Sequence, residues 1–168
     1  YQAAVLAGAN ADLDGDDLPE DEAFWGSIGL TVIQLECPIP FTEAIGLKSK
    51  NYGIPILLNA APAIPFPDSW WDWVDILVVN EQEAESLSKK KIDDFEDARH
   101  SMEILLERCQ NTVITLGEKG LLIGEGSQMK HIHALSVSTV STLVAGNAFV
   151  GVIAAELCKG TDFEKSDQ

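Results

Sequence analysis

The chain has 168 residues, 46% hydrophobic and 23% charged, with 11 basic against 27 acidic side chains and a formal net charge of -16 at pH 7. This size and apolar content suit one domain with a single core rather than a disordered chain. The charge argues against a nucleic-acid binder, which needs clustered Lys and Arg, and disfavours an anionic membrane surface.

The opening residues YQAAVLAGANADLDGDD have no basic stretch of the kind that begins an export signal, and no apolar run reaches the roughly 18 residues that span a bilayer. Beginning on Tyr1 rather than Met gives the expectation of a longer native chain. AAVLA (3–7) reads as a first strand, and residues 16–27 as a crossover helix. LTVIQLE (30–36) is a second strand, residues 40–52 a second helix and IPILLN (54–59) a third strand. A loop stiffened by Pro62, Pro65 and Pro67 leads through Trp70, Trp71 and Trp73 to a fourth strand, VDILVVN (74–80). These tryptophans, with Trp25, read as packing on the sheet or at an interface, not as sugar-stacking rings.

Residues 95–109 carry Ala98, Met102, Ile104 and Leu105 at helical spacing, and TVITLG (112–117) follows as a fifth strand. GLLIGEG and MKHIHALSV, turning at residues 124–126, read as an antiparallel hairpin at the sheet edge. Residues 146–157 are apolar almost all round, as expected of a helix buried against the sheet, and the tail TDFEKSDQ reads as frayed. Strands that are apolar on both faces and alternate with helices need cover on both sides, so the expected fold is α/β: a three-layer α/β/α sandwich, mostly parallel with an antiparallel edge.

Cys37, Cys109 and Cys158 are odd in number and widely spaced, forming neither a C-x-x-C pair nor a metal pattern with His131 and His133; a reduced, cytoplasmic setting follows as the expectation. The two histidines share one face of a strand without an assigned role. The acidic run at 12–17 lacks the Gly at position six and the Glu at position twelve of a calcium loop, and reads as solvated.

In an open parallel sheet ligands bind at the carboxyl ends of the strands. Those ends read Gly8-Ala9-Asn10, Gln34-Leu35-Glu36, Asn59-Ala60-Ala61-Pro62-Ala63, Asn80-Glu81-Gln82-Glu83 and Thr115-Leu116-Gly117-Glu118-Lys119-Gly120. Together with STLVAGNAFVG, the motifs AGAN, QLECP, LNAAPA, VDILVVNEQEAE and VITLGEKG stand in the order and spacing of one family over residues 5–160. By these the chain resembles the ribokinase branch of the PfkB carbohydrate kinases.

The resemblance implies a ribokinase-like fold and a transferase that moves the γ-phosphoryl group of ATP, with Mg²⁺, to a sugar hydroxyl, D-ribose to ribose 5-phosphate. It also implies one ribokinase-like domain over 1–168 without the family's N-terminal sugar and lid portion or its C-terminal helices, hence a homodimer or part of a longer chain. Glu36 and Asn10 fall at sugar-contact positions, where a carboxylate suits vicinal hydroxyls; a strand-end acid can equally cap a helix. Asn59, Asn80, Thr115, Gly117 and Gly120 fall at nucleotide positions, and Glu83 at a position that orders Mg²⁺ through its waters. For Asn59 a turn-forming role is the alternative, and for Asn80 with Glu83 a capping box. Lys119, Glu81 and Glu85 read as exposed.

Residues 141–147 match the family's D-T-x-G-A-G-D signature, with Ala145 and Gly146 opening a helix whose amides can hold an anion. The last aspartate of the signature, the catalytic base, is here Asn147, and the first, which serves a monovalent cation, is Ser141. An amide takes no proton near neutral pH, so transfer is expected to be weak or lost; a hydroxyl brings no charge, which puts the cation site in doubt. Val144 adds bulk where the family has Gly or Ala. The alternative reading is a catalytically inactive sugar- or nucleotide-binding or assembly protein.

Overall fold

The computed structural model describes residues 7–135 and 145–160. Four expected strands form one sheet: β1 (Thr31–Ile33), β2 (Ile56–Asn59), β3 (Ile76–Asn80) and β4 (Asn111–Thr115) lie side by side in chain order, all parallel. β5 (Leu121–Glu125) and β6 (Gln128–Ile132) continue the sheet antiparallel, so the expected antiparallel edge is present. The AAVLA run, apart from Ala7, and the tail after residue 160 lie outside the described residues.

Parallel neighbours that follow one another in sequence, joined by right-handed crossovers, put every crossover on the same face. Hence α2 (Ile39–Asn51), a 3₁₀ turn (Asp68–Asp72), α3 (Glu81–Ser88) and α4 (Phe95–Leu106) cover one side. There Leu58, Leu77, Val79 and Ile114 pack with Trp70, Trp73, Ala84, Met102 and Leu105. Strand side chains alternate, so Leu57, Ile76, Val78, Val113 and Ile123 point the other way, onto Val150 and Ile153 of α5 (Ala145–Cys158). The result is the three-layer sandwich. Leu57, Leu58 and Leu77 are wholly buried, each worth about 2 kcal/mol.

Two local expectations need correction and a third is narrowed. Residues 16–27 are not one helix: a 3₁₀ turn (Gly15–Asp17) gives way to extended chain at Leu18, and only Glu22–Gly26 is helical, as α1, capped by Asp21. Pro19 is the cause, because its ring disfavours a helical residue before it. The hairpin turns at Gly126 and Ser127, with Glu125 paired to Gln128, while Gly124 belongs to β5. A side chain at Gly124 would meet Met102 and Leu106 of α4 at 2.7 and 2.9 Å, so the glycine serves close helix approach instead of the turn. Finally, α5 packs against the sheet as expected but by one face only: Val150 and Ile153 are buried, while Gly151, Val152 and Ala155 are exposed, Val152 by 59%.

Trp25, Trp70 and Trp73 are buried and Trp71 partly so, as packing rings should be. The three cysteines are free. Among the described residues no helix is long and apolar enough to cross a membrane, and no three His, Cys, Asp or Glu side chains converge as metal ligands.

At Gly46 of α2 a Cβ would stand 2.6 Å from the Trp73 ring. Alanine gains about 1 kcal/mol of helix propensity, but crowding a buried ring costs typically about 1–3 kcal/mol. Gly46→Ala is therefore expected to lower unfolding free energy by up to about 2 kcal/mol in urea titration; a stabilised variant would show that Trp73 has room to move.

Candidate active site at the strand rim

Parallel strands deliver their carboxyl ends to one rim, and the polar residues of interest end adjacent strands there. Asn59 closes β2, Asn80 closes β3 and Thr115 closes β4, with Asn80 and Thr115 directly paired in register. Asn59 is 7% exposed, while Glu36 lies exposed in the turn just beyond β1. The Leu35 amide donates to the Ala61 carbonyl at 2.8 Å, tying that turn to the segment after Asn59.

The start of α3 is the most closely bonded part of the rim. Asn80 Oδ1 accepts from the Glu83 amide at 2.9 Å, and Glu83 Oε2 and Oε1 accept from the Asn80 amide and Nδ2, each at 2.8 Å. The capping-box alternative is thus present in full. Glu83 is 5% exposed; burial pushes its carboxyl above the usual 4.5, while the two Asn80 donors pull it back.

A raised folded-state pKa means that the fold binds this proton more tightly than the open chain does. The associated stability is present in acid and lost as pH rises through the folded value. Asn80→Ala removes the cap and the side-chain donor, raising Glu83 further. We expect a loss of about 1–3 kcal/mol at pH 7 that narrows as pH falls toward 4.5, measured by urea unfolding of both proteins across that range. A loss independent of pH would mean that Asn80 does not act on the carboxylate.

The loop after β4 is a 3₁₀ turn, Gly117–Lys119, closed by the Leu116 amide donating to the Gly120 carbonyl at 2.8 Å. Thr115 Oγ1 donates to the Val79 carbonyl at 3.4 Å. Lys119 and Glu81, read from sequence as exposed, form an ion pair at 3.8 Å that links this loop to the first turn of α3. Glu85, also read as exposed, is half-buried and accepts from the Ile92 amide at 2.7 Å.

Ala145, Gly146 and Asn147 stand in the first described turn of α5, all exposed. Asn147 Oδ1 accepts from Gln34 Nε2 at 3.1 Å, a contact that joins α5 to the end of β1 across 113 residues of sequence. Gln34 had no role in the sequence reading beyond its place in the QLE strand end, and that place is the one signal for it. Asn10 sits exposed in a 3₁₀ turn, Gly8–Asp12, where its backbone bonds are local, to Ala7 and Leu13; the strand expected before it lies, apart from Ala7, outside the described residues. Ser141 lies outside the described residues.

The rim therefore brings together Glu36, Asn59, Asn80, Glu83, Thr115 and the Gly117–Gly120 loop, with Asn147 tethered beside Gln34. A groove of about 510 Å³ lined by Phe66, Trp71, Leu87, Ile104 and Arg108 lies elsewhere, against α3 and α4, and contains none of these residues.

Residues 3–168 match the family described as pfkB family carbohydrate kinase. The chain is 33% identical over 159 residues to a ribokinase of Staphylococcus aureus, covering 94% of this chain and 52% of that protein. It is 32% identical over 162 residues to a deoxyribokinase of Salmonella typhi, covering 95% and 53%. In fold it is similar to Arabidopsis thaliana ribokinase complexed with ribose and ATP, with a TM-score of 0.85 at 22% identity, covering 97% of this chain and 54% of that one. The chain spans about half the length of the curated relatives it matches.

Proposed function

The chain belongs to the pfkB family of carbohydrate kinases, and from that premise we propose that it supplies the sugar- and nucleotide-contacting rim of a ribokinase-like sugar kinase. The reaction is transfer of the γ-phosphoryl of ATP to the 5-hydroxyl of D-ribose, weak or lost because of Asn147. The carrying observation is that Asn59, Asn80 and Thr115 end adjacent strands of one rim, with Asn147 held beside it through Gln34.

Each residue has a role that its chemistry allows. Glu36 accepts hydrogen bonds from sugar hydroxyls, and Asn10 is assigned to the same substrate. Asn59 approaches phosphate oxygens without repulsion because its amide is neutral. Gly117 and Gly120 let backbone amides come close to the nucleotide, beside Thr115. The first-turn amides of Ala145 and Gly146 face the transferring group, where helix-start donors stabilise an anion.

Glu83 fits a role in holding Mg²⁺. Each of its oxygens accepts one bond from Asn80 and keeps a further lone pair for a metal-bound water, and this ion favours a few carboxylates and waters over a full protein cage. When bound, the ion neutralises charge developing on the phosphates. Asn80 fixes the Glu83 carboxylate. No monovalent cation is assigned, because Ser141 carries no charge.

The chain acts as one ribokinase-like domain, in a homodimer or within a longer protein, in the cytoplasm. A second reading, a binding or assembly protein without catalysis, is favoured by Asn147 and Ser141. Titration calorimetry of the protein with ATP and Mg²⁺, and separately with D-ribose, tests the first. We expect saturable binding of each at about micromolar to millimolar concentrations, the usual range for enzyme substrates. Heat from neither ligand would overturn it.

A further inference from the structure

Resting on the nucleotide reading of the loop after β4, we propose that His131 is a positioning residue for that loop. His131 lies on β6, and its Nε2 is 2.8 Å from the Lys119 carbonyl oxygen. A carbonyl only accepts, so Nε2 carries the proton and donates. The ring is held from two sides, by Phe95 at the start of α4 with centroids 4.5 Å apart and by the edge of His133 at 4.3 Å.

Lys119 is the last residue of the 3₁₀ turn, so this bond acts where the loop turns back into β5. Its side chain reaches Glu81 Oε1 at 3.8 Å, beside the Asn80 and Glu83 box. One residue is thus held through its backbone by β6 and through its side chain by α3. A separate contact points the same way. Gly120 packs on the backbone of residues 132–134 so closely that a Cβ would stand 1.9 Å from the Ile132 oxygen.

The end of β6 therefore forms a wall behind the loop, and His131 is the side chain that latches the loop to it. Without the donor, the Lys119 carbonyl loses this bond to β6, and the peptide plane ahead of Gly120 gains freedom. An ordered loop presents its amides to a nucleotide without first losing that freedom, which is how a residue that touches no ligand raises affinity.

Two variants separate the latch from simple packing. His131→Leu keeps an apolar group against Phe95 and removes the donor; His131→Gln restores an N–H at similar reach. By calorimetry, the ATP Kd is expected to rise about three- to ten-fold in His131→Leu, the scale of one net hydrogen bond, and to return to near wild type in His131→Gln. The D-ribose Kd should be unchanged in both, and amide exchange at Gly120 faster in His131→Leu alone. Equal ATP affinity in wild type and His131→Leu overturns the assignment, as does equal weakening in both variants or parallel loss of D-ribose binding. A wild-type protein that binds no ATP overturns the nucleotide reading and this assignment with it.

Discussion

Asn147→Asp is expected to raise D-ribose-dependent ADP formation by about 10²- to 10⁴-fold, the typical contribution of a positioned general base. The amide of Asn147 can orient a hydroxyl but cannot take its proton, whereas a carboxylate at the same position can. Phosphoryl transfer depends mostly on positioning and electrostatic stabilisation, so on the proposed kinase reading the wild-type protein is expected to show at most a slow basal rate.

The substitution should be gentle on the fold. Aspartate has nearly the shape of asparagine and still offers an oxygen to Gln34 Nε2, now 3.1 Å from Oδ1. A negative charge in the first turn of α5 also interacts favourably with the helix dipole, by about 0.3–1 kcal/mol at an exposed position. The measurement is coupled ADP release with and without D-ribose, alongside Asn147→Leu as a variant with neither base nor hydrogen bond. No gain in Asn147→Asp, with ATP binding retained, would favour a binding protein over a damaged kinase.

How much of this was legible in the sequence differs from element to element. β2, β3 and β4 were readable because both of their faces are buried, which leaves continuous apolar runs that no exposed segment needs. The Asn80 and Glu83 box was readable because capping is local, acting across three residues. The segment before β1 misled because its acidic, helix-like pattern outweighed one proline, and for α5 apolar composition does not say how much of a helix the sheet covers. The Gln34 to Asn147 bond, the Lys119 to Glu81 pair and the His131 latch were hidden for a common reason. Each joins positions remote in sequence, and only the topology brings them together.

Gly120→Ala is expected to cost on the order of 4 kcal/mol or more, enough to unfold a marginal domain. Two effects add. The backbone at Gly120 has φ 96° and ψ -133°, a region that side chains rarely enter, and a Cβ there would lie 1.9 Å from the Ile132 oxygen and 2.7 Å from the Ala134 nitrogen. Both obstacles are backbone atoms at or just beyond the end of β6, which cannot swing aside as a flexible side chain would. Gly117 is the control. Its φ of 56° is left-handed too, yet a Cβ there meets nothing within 4 Å, so Gly117→Ala should cost only about 1–2 kcal/mol. If the loop holds a nucleotide, that new methyl faces the ligand and Gly117→Ala folds but binds ATP less tightly. Gly120→Ala should instead lose its unfolding transition altogether, or show it at much lower urea. A Gly120→Ala protein as stable as wild type would mean that the end of β6 does not abut this loop, removing the wall on which the His131 assignment stands.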